Sequence, residues 1–180
     1  MKNQNIYFTI CSLFLFIFFQ NCNSEKTSKI EESRIFPEYS IVLDSVILQP
    51  QGMLRGIELG DVKTTIEKNE YKKVSKSGPN TLLYEYIIDS LNFYSVKYTF
   101  TEDVLSEIEV NILSKNQDLG AGIVNDLKNY LTTKYTAPLM DNGVYVFNCF
   151  DSQKKNFIIN LSDNSTSDCG KILLIFYRED

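Results

Sequence analysis

Alternating apolar and polar residues define two groups of strands in this chain. In the first group, apolar side chains recur at every second position and polar residues stand between them, whereas the first and last strands of the second group are apolar on both sides. This period of two is typical of strands with one buried face and one wet face, and the short polar links between them predict antiparallel hairpins. The first group predicts strands over 82–88, 94–100 and 104–112; the second predicts strands over 143–150, 156–161 and 171–177.

A helical pattern precedes each group. Residues 117–135 place apolar side chains three, four and seven positions apart, as an amphipathic helix does, and Pro138 marks its end. A shorter helix is predicted to begin at Asp61, the expected N-cap, with Ile66 on its buried side. Before it, residues 40–48 form a β-branched and aliphatic run, which predicts an edge strand or an extended lead-in.

A helix followed by three strands therefore occurs twice, at about 61–113 and 117–177. One helix over each three-stranded meander is enough to cover its apolar face. We predict an α+β fold made of tandem helix-plus-three-stranded antiparallel meander units, with the helices packed on one face of the sheet. Both units belong to a single predicted domain, residues 39–180.

The N-terminal residues have the layout of an export signal. Lys2 precedes a nearly pure apolar run over 6–19. As a helix, this run is about 21 Å long, shorter than the roughly 30 Å hydrocarbon core of a bilayer. Cys22 stands just after the run, which predicts a bacterial lipoprotein signal peptide (1–21) with Cys22 as the lipid-carrying residue. Ordinary cleavage after Ser24 and an uncleaved anchor are the alternatives.

Lipidation would also predict where the protein resides. Several acyl chains on one cysteine hold a protein on a bilayer, whereas one chain does so only marginally. The residue after Cys22 is Asn23 and not the Asp that resembles an inner-membrane retention signal, so the outer membrane is favoured by analogy. Residues 22–38 are polar, charged and without period, and they predict a flexible tether between the lipid and the domain.

Composition argues against several classes of function. The chain has 180 residues, room for one ordinary domain, and its formal charge is −5, which argues against a nucleic-acid binder. It contains no His, so the commonest general base, the commonest zinc ligand and every Ser-His or Cys-His pair are missing. We therefore expect a non-enzymatic protein with no cofactor, metal or small-molecule substrate, whose partners are a membrane and another protein.

Two patterns could carry chemistry, and each has a simpler explanation. Glu107 and Glu109 lie on one face of a predicted strand, about 7 Å apart, so a carboxylate-dependent envelope hydrolase is the alternative function. No apolar neighbours desolvate them in the pattern, which favours a solvated face. Residues 120–122 (Gly-Ala-Gly) open a helix as a dinucleotide loop does, but Asn125 replaces the last Gly or Ala, which favours a flexible helix entry.

Two further features concern metal binding and disulfides. Residues 163–168 resemble half of a calcium loop, but the loop glycine is absent and Leu174 stands where a bidentate Glu belongs, which favours a polar hairpin loop. A disulfide between Cys149 and Cys169 would contribute about 3 kcal/mol. The meander places these cysteines about 20 Å or more apart, so two free thiols are the favoured alternative.

Three short motifs resemble those of known envelope proteins. They are Gly56-Ile57-Glu58-Leu59-Gly60-Asp61-Val62, Tyr98-x-Phe100 followed by Leu105-x-x-Ile108, and Leu131-x-x-Lys134-Tyr135-x-x-Pro138. The first two resemble the small lipoprotein modules of the outer-membrane assembly accessory family (SmpA/OmlA-like). Two such units in tandem are similar to the architecture of β-lactamase-inhibitory-protein-like modules, and the third motif is similar to the helix exit of many secreted relatives. The resemblance implies protein binding without chemistry and transfers no functional residues; a host-facing surface antigen or inhibitor is a further alternative.

Overall fold

An eight-stranded antiparallel sheet and three helices make up residues 39–179 of the computed structural model, which describes residues 35–36 and 39–179. The helices are α1 (Ile41–Ile47), α2 (Lys63–Asn69) and α3 (Gln117–Lys134). The strands are β1 (Lys76–Ser77), β2 (Thr81–Ile87), β3 (Phe93–Thr101), β4 (Val104–Ser114), β5 (Leu139–Asp141), β6 (Val144–Phe150), β7 (Asn156–Asp163) and β8 (Gly170–Tyr177). Their order across the sheet is β1-β2-β3-β4-β8-β7-β6-β5.

The α+β class is confirmed, but the predicted division into tandem three-stranded units is wrong. β4 pairs with β8 from Glu107↔Tyr177 to Ser114↔Gly170, and this ladder joins both meanders into one sheet. An unjoined meander would leave the backbone groups of that edge without partners, and the ladder satisfies them. Each half also has a fourth strand at its outer edge, β1 or β5. These two strands are too short for a period of two to be visible in the sequence.

One face of the sheet, here called the inner face, holds the core. The register aligns its side chains in continuous rows, such as Tyr86↔Tyr94↔Ile112↔Ile172. α3 packs on β7, β8 and β4 and buries Leu127 there. The inner face consists of Leu82, Tyr84, Tyr86, Tyr94, Val96, Tyr98, Phe100, Leu105, Ile108, Val110, Ile112, Phe147, Cys149, Phe157, Ile159, Leu161, Ile172, Leu174 and Phe176.

The prediction of a strand over residues 40–48 is wrong, because most of this segment is helix α1. Its buried residues form two pairs four positions apart, Val42 with Val46 and Leu43 with Ile47, which is a helical spacing. The helix contacts α3, and the backbone N–H of Ser40 donates to a carboxylate oxygen of Asp126 at 2.8 Å. Burial of one helical face thus outweighs the β preference of the branched side chains.

Helix α2 forms where a helix was expected, but its start differs. The N-cap is Val62, and the carboxylate of Asp61 instead accepts a hydrogen bond from the backbone N–H of Glu58 at 2.8 Å. Val62 is half exposed, and Ile66 is the buried residue of this helix. The buried side of α2 therefore consists of one side chain, that of Ile66.

Helix α3 confirms its prediction to within one residue at the C-terminus. Asn116 caps it by accepting from the backbone N–H of Leu119 at 3.0 Å. Leu119 itself is exposed, and Gly120 takes the buried position against β8. A Cβ on Gly120 would stand 3.0 Å from the Cα of Gly170, so this glycine allows close helix–strand packing; the flexible helix entry stays a prediction.

A bulge corrects the predicted face of one strand. The register between β3 and β4 shifts at Thr99/Phe100, so Leu105 lies on the inner face and Val104 is exposed. Ser106 is the extra residue on β4, so Val104 and Leu105, which precede it, lie on the faces opposite to those that strict alternation with Ile108 predicts.

Two observations concern the membrane. No helix within residues 35–36 and 39–179 is long and apolar enough to span a bilayer. The predicted signal peptide (1–21), Cys22 and most of the predicted tether (22–38) lie outside the described residues.

Candidate functional site

The face of the sheet opposite the helices, here called the open face, carries exposed apolar side chains among polar ones. In the first half, Ile87 is 81% exposed and its cross-strand neighbour Phe93 is 51% exposed. In the second half, Leu139 and Phe150 are exposed on the same face. Scattered exposed leucines need no explanation, but paired exposed residues on one flat surface are typical of a contact surface.

A groove of about 880 Å³ lies where the β2–β3 hairpin turns. Its apolar lining on the open face is Ile87, Phe93 and Leu113, which neighbour one another across β2, β3 and β4; Tyr86 and Tyr94 of the inner face also line it. Its charged lining includes Lys72 and Glu85. An apolar lining with a few charged groups is the usual composition of a binding surface.

The hairpin turn at one end of the groove is held by Asp89. Its carboxylate accepts hydrogen bonds from the backbone N–H groups of Leu91 at 2.6 Å and Asn92 at 2.8 Å, and from the Asn92 side chain. These bonds, led by the one from the Asn92 side chain, lower the pKa of Asp89 below its ordinary value. The carboxylate is thus committed to the turn.

A buried ion pair lies beneath the groove, on the inner face. Arg55 is 0% exposed and donates to both carboxylate oxygens of Glu70, with N–O distances of 2.9 Å to each. Its remaining N–H groups donate to the backbone oxygens of Ser45 (2.7 Å) and Val46 (3.2 Å), near the C-terminus of α1. Arg55 also donates to the hydroxyl of Tyr94 at 3.1 Å.

Two more tyrosines complete this group. The hydroxyls of Tyr86 and Tyr98 both donate to the carboxylate of Glu70, and the rings of Tyr86 and Tyr94 stack with centroids 4.7 Å apart. The guanidinium of Arg55 lies 4.6 Å from the centre of the Tyr86 ring. We call Arg55, Glu70, Tyr86, Tyr94 and Tyr98 the arginine–tyrosine cluster.

Burial and the fixed charges determine how this cluster titrates. Burial raises the pKa of Tyr86, Tyr94 and Tyr98 above their ordinary value; for Tyr86 and Tyr98 the nearby carboxylate of Glu70 adds to the effect. Burial by itself lowers the pKa of Arg55, but its hydrogen bonds and attraction to Glu70 outweigh this and raise it. The cluster therefore holds a charged guanidinium and neutral tyrosines at neutral pH.

The cluster fixes elements of the fold together. Arg55 has a backbone φ of +57°, a conformation that a long side chain adopts only at a cost of about 1–3 kcal/mol. The bonds to α1, to Glu70 just after α2 and to Tyr94 on β3 hold it there. The carboxylate of Glu70 accepts hydrogen bonds from Arg55, Tyr86 and Tyr98.

Neither Arg55 nor Glu70 was predicted as a site residue from the sequence. The available signal was one arginine within an otherwise apolar stretch, Met53-Leu54-Arg55-Gly56-Ile57. Buried charges need partners, so such an arginine predicts a buried carboxylate elsewhere, but it does not say which one.

Glu107 and Glu109 lie on the open face, as predicted. Glu109 forms a half-exposed ion pair with Lys97 at 3.2 Å and accepts from the Asn111 side chain at 2.7 Å. Its cross-strand position opposite Lys97 explains the pair. The two carboxylates stand on a half-exposed surface of the sheet and not in a desolvated cleft.

The other sequence-predicted sites fall at separate places. Asp163 accepts from the backbone N–H of Ser165 at 3.0 Å, and Asp168 accepts from the Ser167 hydroxyl at 3.1 Å. These are bonds of a polar hairpin loop. Within the described ranges, no cluster of three Cys, Asp or Glu residues could hold a metal ion. The sheet is antiparallel throughout, so the Gly-Ala-Gly segment before Asn125 has no parallel dinucleotide-binding unit around it.

Both cysteines of the domain are free thiols. Cys149 lies on β6 opposite Phe157, whereas Cys169 stands in the β7–β8 loop opposite Thr166. Burial raises the pKa of Cys149 to about 11, so its thiol stays protonated and unreactive at neutral pH.

The chain matches no protein-family model, and neither a curated protein nor a solved structure is significantly similar to it. The family resemblance of its motifs stays a prediction.

Proposed function

We propose that this chain is a lipid-anchored cell-envelope lipoprotein that acts as a non-enzymatic protein-binding module through its open face. The observation that carries the proposal is the groove at the β2–β3 hairpin, with exposed Ile87 and Phe93 beside charged Lys72 and Glu85. An apolar patch within a polar surface is the general composition of transient protein interfaces.

The stiffness of the surface supports the same proposal. Most of the groove residues stand on sheet strands, and Tyr86 and Tyr94 belong both to the groove lining and to the arginine–tyrosine cluster. A surface held from below loses little conformational freedom when it binds, which favours affinity. We therefore assign a positioning role to the cluster: Arg55 and Glu70 hold β2 and β3, the strands that carry the groove residues.

The anchor rests on the sequence, through Cys22 after its apolar run. Labelling with a fatty acid should mark the full chain and leave Cys22→Ala unlabelled. Label retained by Cys22→Ala, or absent from the natural chain, would contradict lipidation. Fractionation of the labelled chain to the inner membrane would contradict the outer-membrane location.

Site-specific photocrosslinking tests the binding role. A photoreactive phenylalanine derivative replaces Phe93 or Phe150 on the open face, in the full chain in its own cells, and Asn125 on the exposed side of α3 serves as the control. We expect adducts with one protein from the open-face positions and not from Asn125. Equal adduct patterns at all three positions, or none at the open-face positions, would contradict the proposal.

A further inference from the structure

The outer edge of β2 is only half paired. β1 pairs with Leu82 and Leu83, and the backbone N–H of Ser75 donates to the oxygen of Leu83 at 2.8 Å. Beyond Leu83, no described strand pairs with this edge. The backbone oxygen of Glu85 accepts there only from the ammonium of Lys72, at 3.4 Å and in an exposed position.

The direction of the backbone groups follows from this bond pattern. Leu83 points its oxygen outward toward β1, and in a strand the outward groups recur at every second residue. Glu85 and Ile87 therefore point their N–H and C=O groups outward as well. Exposed edge groups of this kind are a template for an additional strand.

Neither Lys72 nor Glu85, the charged side chains along this edge, forms an ion pair among the described residues. Glu85 is exposed and has no ion-pair partner among the described residues; its neighbour across β3 is Ser95. Glu109, two strands away, has Lys97 as partner. The ammonium of Lys72 lies 5.0 Å from the Tyr86 ring, so it stands near the middle of the unpaired stretch.

We propose, on the basis of the proposed function, that the edge of β2 from Glu85 to Ile87 binds an extended segment of the partner protein as an added antiparallel strand. The antiparallel direction continues that of β1 on the same edge. In that direction the segment carries an apolar residue opposite Ile87, an acidic residue opposite Tyr86 and a basic residue opposite Glu85.

Each of the three positions follows from cross-strand pairing. The apolar residue joins Ile87, Phe93 and Leu113 in the groove, and the basic residue forms an ion pair with Glu85 on the same face. The acidic residue points to the other face, where Lys72 loses its bond to Glu85 and gains a carboxylate. The backbone of the segment supplies the affinity and these three side chains supply the register.

Two peptides test the register. Acetylated and amidated TIEKTV has the proposed order, and TIEETV places an acid opposite Glu85. Titration of the isotopically labelled protein should move the amide resonances of Glu85 and Ile87, with TIEKTV binding roughly threefold or more tightly than TIEETV. Absence of shifts at this edge up to millimolar peptide would overturn the inference.

A charge reversal makes the test specific. In Glu85→Lys the preference should invert, so that TIEETV binds more tightly than TIEKTV. Glu107→Lys, which makes the same charge change on β4, should keep the original preference. An unchanged preference in Glu85→Lys, or an equal inversion in Glu107→Lys, means that only net charge is sensed and overturns the assigned register.

The outcomes separate this inference from the proposed function. Crosslinks from Phe150 to a partner, with no peptide shifts at Glu85, would leave the binding module standing and remove the edge site. Shifts at Glu85 and Ile87 that depend on protein concentration without peptide would identify a second copy of this chain as the occupant and overturn the choice of a partner protein. Peptide binding with the expected inversion, but no open-face crosslinks in cells, would confirm the edge site and contradict the proposed function.

Discussion

The two halves of the sheet are covered by helices in different ways. In the second half, α3 buries six residues, among them Leu127 and Leu131, against the sheet. In the first half, α2 has seven residues, of which Ile66 is the buried one. The inner face below α3 is aliphatic and phenylalanine-rich, whereas the face near α2 carries Tyr86, Tyr94 and Tyr98.

This difference shows two ways of holding a helix on a sheet. Apolar burial contributes about 25 cal/mol per Å² and is non-directional, so a long helix is held by area. A helix of two turns has little area to bury, and α2 is fixed by the ion pair between Glu70, at its C-cap, and Arg55. A buried ion pair is directional, and it orders α1, α2 and the loop between them around one point.

The largest effect is expected from breaking the ion pair on one side. Glu70→Leu leaves the guanidinium of Arg55 buried without its counter-ion, which should lower the free energy of unfolding by about 3–5 kcal/mol in urea titration. The double variant Arg55→Met with Glu70→Leu removes both charges and should recover most of the loss. A loss below about 1 kcal/mol in Glu70→Leu would mean that the cluster is not what holds α2.

A cavity in the apolar half should cost somewhat less. Leu127 lies on the side of α3 that faces the sheet and is fully buried. Leu127→Ala should therefore lower the free energy of unfolding by about 3 kcal/mol in the same titration. Leu119→Ala, on the same helix but exposed, is the matched control and should change it by less than about 0.5 kcal/mol. Equal losses in the two variants would contradict the assigned helix face.

Alkaline pH should weaken the fold, in part through the tyrosines of the arginine–tyrosine cluster. The pKa of Tyr94 is raised above its ordinary value of 10.0 in the fold, so the unfolded chain loses this proton first as the pH rises. Its contribution to stability is therefore complete below about pH 10 and falls above it, by up to about 1.4 kcal/mol per pH unit for each such tyrosine.

Urea titrations between pH 8 and pH 11 measure this slope. In Tyr94→Phe, which lacks the titrating hydroxyl, the decline above pH 10 should be shallower than in the natural chain. A slope that Tyr94→Phe leaves unchanged would show that the alkaline effect arises elsewhere.

The smallest effect is expected on the open face. Lys97 and Glu109 form an ion pair with both side chains partly exposed, and such pairs contribute about 0–1 kcal/mol. Lys97→Met should therefore unfold at nearly the urea concentration of the natural chain, and the small difference should become smaller still at high salt. A loss above about 2 kcal/mol would show that the open face contributes to stability and is not reserved for contacts.

The long strands and the long helix were predicted well from the sequence, whereas the bulge and the close helix–strand contact were not. Six strands and α3 follow patterns that persist over many residues, and all were found at or near their predicted bounds. The exposed Val104 and the buried Gly120 were missed, because a bulge and a close helix–strand contact depend on the partner element. The candidate site was half predicted: the wet face was expected, but the groove at the hairpin was not.

Local periodicity determined which residues face the core, because an alternating strand or an amphipathic helix has only one face that can be buried. It could not determine that β4 and β8 pair, since hydrogen bonds between strands distant in sequence leave no local mark. Nor could it predict that Arg55 pairs with Glu70. A buried charge requires a partner, but the residues around Arg55 do not indicate which carboxylate that partner is. The tertiary structure alone decided the single sheet, the buried ion pair and the half-paired edge of β2, where distant segments meet.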